Sequence, residues 1–178
     1  MIYYSEQLFS KLQYLQRTIM TPKMKLKPKT PKKINSAIKK LLKELGLKDL
    51  PVYLPLTKVT GSRAGYCFNN CEDYSKYNNN ASIVYGWMFW EDRKNGFTEA
   101  EFHAVIKENG VLKDITPRIN NESSILFVTD TQRNSGRRNF DSWYSWANIK
   151  MFDDIVVEET YPLEIKELDN DYSEIIRL

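Results

Sequence analysis

Apolar residues recur at helical spacing twice near the start of the chain. Leu8, Leu12, Leu15 and Ile19 fall on one stripe at three- and four-residue steps, which predicts a helix over residues 5–20 with Ser5 placed to cap it. Ile34, Ile38, Leu41, Leu42 and Leu45 form a second stripe. Thr30-Pro31 supplies a cap and a first-turn proline for that helix, and Gly46 supplies its end. Both stripes suit helices that cover a sheet. From Pro51 to Thr60 the pattern is extended and broken by Pro55. A further helix is expected from Cys67 to about Tyr77, where Asn78-Asn79-Asn80 stops it.

Beyond that point the period changes. Ser82-Ile83-Val84-Tyr85-Gly86-Trp87-Met88-Phe89-Trp90 has large residues at both odd and even positions, as a strand covered on both faces would. Residues 100–107 form another strand, and Asn109-Gly110 follows. Two residues of this type between apolar runs indicate a hairpin turn with positive φ at both positions. That turn sets Glu108 against Val111, Lys107 against Leu112, Ile106 against Lys113 and Val105 against Asp114. His103 and Asp114 then emerge on one face as diagonal neighbours. Farther on, Ser124–Thr129 reads as a strand, Arg133, Arg137 and Arg138 as part of a polar loop, and Asp141–Trp146 as the start of a short helix. Residues 155–168 read as one or two edge strands, followed by an acidic, fraying tail.

The expected fold is α+β, with helices packed on a mainly antiparallel sheet of five or six strands. Residues 1–50 form the helices and their connector, residues 51–178 the α+β core, and the whole a single compact domain. At 178 residues and 42% hydrophobic, the chain is long enough for such a core. No apolar run approaches the ~20 residues that span a bilayer, and the N-terminus shows no secretion signal. With two cysteines and no such signal, a reducing, cytoplasmic setting with free thiols is expected.

The net charge of +3 is unevenly spread. Residues 21–50 hold ten lysines against Glu44 and Asp49, an excess of eight positive charges, so the remainder carries −5. The densest part, Lys23 to Lys33, is read as a connector kept extended by its prolines and self-repulsion. A nucleic-acid contact there is the less favoured reading, because no arginine cluster or interleaved aromatic accompanies the lysines.

The candidate chemistry lies between Gly65 and Pro117. Cys67, His103 and Asp114 occur in the order thiol, imidazole, carboxylate, and His103 is the only histidine. These are the parts of a thiol nucleophile, its base and the group that orients the base. Cys67 falls at the first turn of its helix, where unpaired N–H groups and the helix dipole favour a negative charge. Cys71, one turn later, points deeper and reads as an inert small hydrophobe. Tyr66, Asn70 and Trp87 are candidates for groove wall or support. The competing chemistry is zinc held by Cys67, Cys71, His103 and Asp114, but the chain offers no second close ligand pair. No metal or other cofactor is expected.

Taken together, Gly65-Tyr66-Cys67-Phe68-Asn69-Asn70, Val84-Tyr85-Gly86-Trp87, Phe102-His103-Ala104-Val105 and Asp114-Ile115-Thr116-Pro117 resemble the transglutaminase-like branch of the papain-like cysteine superfamily. The resemblance implies a papain/transglutaminase-like core, with Cys67, His103 and Asp114 as nucleophile, base and orienting acid. It further implies a hydrolase or acyltransferase acting on amide bonds of a protein or peptide substrate. The chain departs from related patterns: Ala64 stands where the arylamine N-acetyltransferases have a glycine, papain's upstream oxyanion glutamine has no counterpart, and Val105 stands where a Trp is frequent. The alternative reading is an inactive binding module on the same scaffold, whose basic segment engages an acidic partner.

Overall fold

The computed structural model describes residues 25–119, 122–168 and 172–178. The helix expected over residues 5–20 lies outside them. Among the described residues two α-helices, α1 (Ser36–Glu44) and α2 (Cys67–Tyr77), pack against mainly antiparallel sheets, so the architecture is broadly α+β.

The first sheet joins β1 (Val52–Pro55), β2 (Ala81–Asp92), β3 (Phe97–Glu108), β4 (Val111–Lys113), β5 (Ser124–Thr129), β8 (Ile149–Phe152) and β9 (Ile155–Glu158). Its order is β1-β5-β2-β3-β8-β9, with β4 also on β3. The second joins β6 (Gly136–Asn139), β7 (Ser142–Trp146), β10 (Pro162–Leu168) and β11 (Tyr172–Arg177) in the order β11-β10-β7-β6. Seven strands in the first sheet exceed the five or six expected. Three segments differ in kind. Arg137 and Arg138, expected in a polar loop, lie in the strand β6. Ser142–Trp146 is a strand and not a helix, because it pairs with the adjacent β6 on one side and with β10, later in the chain, on the other. Tyr172–Arg177, expected in a fraying tail, pairs as β11 along β10.

The spine is the long hairpin of β2 and β3, paired from Ala81↔Glu108 to Asp92↔Phe97. Asn109 and Gly110 have φ of 50° and 82°, the left-handed pair that this turn requires. The register that follows is Glu108↔Val111, Lys107↔Leu112 and Ile106↔Lys113, in agreement with the sequence reading. On its second edge β3 pairs with β8 over Phe97–Ala100 and with β4 over Ile106–Glu108. Residues 101–105 fall between these two ladders, and His103 sits within that interval.

Helix α1 begins later than Thr30-Pro31 suggested. Asn35 is its N-cap, and the Asn35 Oδ1 accepts from the Ile38 amide at 3.0 Å. The chain before it is extended and pinned to the end of β2, where Lys29 and Glu91 exchange backbone hydrogen bonds of 3.0 and 2.9 Å. Thr30 instead donates its hydroxyl to the Ser124 carbonyl. The predicted stripe holds: Ile38, Leu41, Leu42 and Leu45 are buried in the core that also takes Cys67, Phe68, Cys71, Trp87 and Phe102. A second cluster, Leu54, Met88, Val105, Ile125 and Phe127, packs separately. Among the described residues, no helix is long and apolar enough to cross a membrane.

Candidate active site

Cys67 is the first residue of α2. Gly65, with φ of 79°, turns the chain into the helix, and Tyr66 is the N-cap without a side-chain capping bond. The first-turn amides therefore lack the usual Ser, Thr, Asp or Asn oxygen that would neutralise their positive end. Cys67 is 8% exposed and lines a groove of about 450 Å³ together with Gly65, Glu101, Phe102, Trp146 and Leu163. That volume suits a peptide side chain or another small group.

His103 enters from β3 and is buried to 1% exposure. Its Nε2 lies 3.2 Å from Asp114 Oδ2. The tight turn accounts for this pair, since the register places both side chains on one face. Asp114 is fixed in its turn. Its backbone bonds with Pro55 and Thr57, and its Oδ1 accepts from the Thr116 amide at 2.9 Å. An aspartate that bonds the backbone two residues ahead is a common turn device. The two oxygens thus divide their work, one holding the turn and the other facing the imidazole.

Electrostatics favour charge on this pair. Burial disfavours the imidazolium, but Asp114 and then Cys67 outweigh it and push the His103 pKa up to about 10. Burial likewise opposes the Asp114 carboxylate, yet His103 and Arg118 hold it below the ordinary aspartate range. His103 Nδ1 is buried and has no closed hydrogen bond, while the Cys67 sulfur acts on the same ring. With Nε2 facing Asp114, Nδ1 is the ring nitrogen without a hydrogen-bond partner. Cys71 differs: it is 0% exposed, and burial, with Cys67 and Asp114 nearby, raises its thiol far above the ordinary range.

Asn70 ties the two halves of the site. Its Oδ1 accepts from the Arg63 amide at 2.9 Å, and its Nδ2 donates to the Arg63 carbonyl at 2.8 Å and to Thr116 Oγ1 at 3.3 Å. The side chain supports the site; it does not cap α2. Tyr66 takes the Arg63 guanidinium over its ring at 3.8 Å. Trp87 is not part of the groove wall. It is 0% exposed, donates Nε1 to Asp130 Oδ2 at 2.8 Å and packs edge-on to Phe102. It belongs to the floor beneath the site.

Sequence reading missed Arg118. Its Nη2 reaches both Asp114 Oδ2 and His103 Nε2. The available signal was its position four residues after Asp114, although that spacing indicates pairing only where the backbone turns. The zinc arrangement does not assemble: among the described residues, no group of three or more His, Cys, Asp or Glu is placed to hold a metal ion. The basic segment makes no approach to the site in the contacts of Lys27 and Lys29, which join the far end of β2. Compared with known proteins, the chain matches no family model, no curated protein and no solved structure.

Proposed function

We propose that the protein is a thiol-dependent acyl-transfer or hydrolytic enzyme acting on amide bonds of a protein or peptide, with Cys67 as nucleophile, His103 as base and Asp114 as the group orienting the base. One observation carries the reading. The single imidazole is held through Nε2 by a buried carboxylate at 3.2 Å, with its other nitrogen open and a helix-initial thiol acting on it beside a groove. A buried structural histidine would ordinarily have both nitrogens satisfied.

In this reading His103 Nδ1 takes the proton of the Cys67 thiol. The sulfur then attacks the amide carbonyl carbon, forming an S–C bond and an oxyanion. Amides at the start of α2 face the growing negative charge. The imidazolium returns its proton to the amide nitrogen, the C–N bond breaks and the amine leaves. Water, or a second amine, loses a proton to His103 and attacks the thioester carbon; the S–C bond breaks and the thiol is restored. Asp114 keeps the imidazole in the tautomer and orientation that this relay needs.

Iodoacetamide labelling followed by mass spectrometry tests the proposal. At about pH 6, where an ordinary thiol is almost wholly protonated, Cys67 is expected to be alkylated and Cys71 spared. Cys67→Ala removes the label, Cys71→Ala keeps it, and His103→Ala slows labelling by roughly tenfold or more. Labelling of Cys67 only at alkaline pH, with no dependence on His103, overturns the enzyme reading and leaves the scaffold as a binding module.

A further inference from the structure

Arg118 follows Asp114 by four residues, and its side chain is 9% exposed against 0% for Asp114. Its Nη2 donates to Asp114 Oδ2 and stands 3.1 Å from His103 Nε2. His103 Nε2 is itself 3.2 Å from the same Oδ2. One carboxylate oxygen is therefore shared by two nitrogens that are also in contact with each other. A guanidinium only donates and keeps its charge, so its presence constrains the imidazole protons. With an imidazolium, Nε2–H and the guanidinium both donate to Oδ2, and two cations stand side by side in a buried place. With a neutral ring whose Nδ1 is empty, Nε2–H still points at Oδ2, and the guanidinium shares that oxygen. In both cases Arg118 competes with Nε2–H for the Asp114 carboxylate.

The charge count points the same way. Thiolate, imidazolium, carboxylate and guanidinium give two negative and two positive charges, a neutral set that burial tolerates better than an odd one. Had His103 sole possession of Asp114, the buried pair would be so tight that a proton accepted from Cys67 would be slow to leave. We propose that Arg118 is a positioning residue of this site, taking a share of the Asp114 carboxylate from His103 so that the imidazolium stays acidic enough to protonate a leaving amine. This deepens the enzyme reading above and rests on it. The groups acting on His103 are Cys67 from α2, Asp114 just beyond β4 and Arg118 from the turn that follows; Cys71 lies one turn along α2 and Glu101 two residues earlier on β3. Glu101 is engaged by Trp90 Nε1 at 2.7 Å. Arg118 is the only permanent cation of the set, and it also lies over the Trp90 ring at 5.7 Å.

The presence of one histidine makes the test direct, because the imidazole signals in a ¹H–¹⁵N spectrum of the full chain belong to His103 alone. Titrations of the wild type, Arg118→Gln and Arg118→Lys are compared, with thermal unfolding as the check on folding. Loss of the cation in Arg118→Gln is expected to raise the His103 pKa by about one unit or more. Arg118→Lys, a shorter point charge that cannot reach both partners, is expected to fall between. The pH profile of Cys67 alkylation is expected to move upward in the same order. If Arg118→Gln fails to fold, Arg118→Lys alone decides. An unchanged or lowered imidazole pKa in the folded variants overturns the proposal. Failure of the enzyme reading shows separately, as an inert Cys67 in the wild type, since the imidazole titration needs no reaction.

Discussion

Asn70 and Thr116 stand 46 residues apart and meet through a hydrogen bond from Nδ2 to Oγ1 of 3.3 Å. One belongs to the helix that begins with Cys67; the other belongs to the turn fixed by Asp114. The same amide closes two bonds with the Arg63 backbone, so a single buried side chain ties the helix of Cys67 to the turn of Asp114.

Asn70→Ala is therefore expected to lower stability by about 1–3 kcal/mol, because it leaves backbone groups of Arg63 and the Thr116 hydroxyl without their partner. Chemical unfolding measures this loss. Cys67 alkylation at mildly acidic pH is expected to slow as well, since α2 is no longer tied to the turn. Unchanged stability and reactivity would show that Asn70 is dispensable.

Gly86 is the cross-strand partner of His103. A Cβ at this position would stand 2.1 Å from the Val128 carbonyl oxygen and 2.6 Å from Phe127 Cζ. The oxygen is backbone, so β2 and β5 have to separate to admit a methyl group. Gly86→Ala is expected to destabilise by about 1–3 kcal/mol and to displace the strand opposite His103. A melting temperature equal to wild type contradicts the close approach.

The charged pair makes stability depend on pH in two windows. His103 has a folded pKa raised to about 10, so its contribution is complete below the ordinary imidazole value of ~6.5 and is lost as pH rises through the folded value. Asp114 is shifted downward. Its contribution is complete above the ordinary aspartate value of ~3.9 and is lost as pH falls through the folded one. Wild-type unfolding free energy is expected to fall between about pH 7 and 10 by on the order of a few kcal/mol, and His103→Gln to flatten that slope. Equal slopes in the two proteins count against the imidazolium.

Much of this site was readable from local sequence. Asn109-Gly110 fixes a turn whose dihedral angles have few alternatives, and the turn places His103 beside Asp114. Cys67 at a helix start follows from Gly65 before it and the apolar spacing after it. What escaped depends on remote pairing. Ser142-Trp143-Tyr144-Ser145-Trp146 looks like a capped helix start until β10 lies along it, from Pro162↔Trp146 to Lys166↔Ser142. From Trp143 on its burial alternates, with Trp143 and Ser145 inside, but Ser142 is buried too, so a five-residue run shows the strand period only faintly. Arg118 was missed because its four-residue spacing from Asp114 signals pairing on a helix, whereas here the pair forms through the turn at Thr116 and Pro117. Trp87 is most simply core by its place in the apolar run of β2, and it is buried there with Nε1 on Asp130.

The four-stranded sheet has a consequence for how such a molecule can diversify. Leu163 and Ile165 of β10 and Ile175 of β11 border the groove next to Cys67, while the thiol, imidazole and carboxylate all come from residues 67–114. This bank of the groove is thus encoded some fifty residues and more after Asp114. Substitutions between Leu163 and Ile175 can reshape the groove while Cys67, His103 and Asp114 stay as they are.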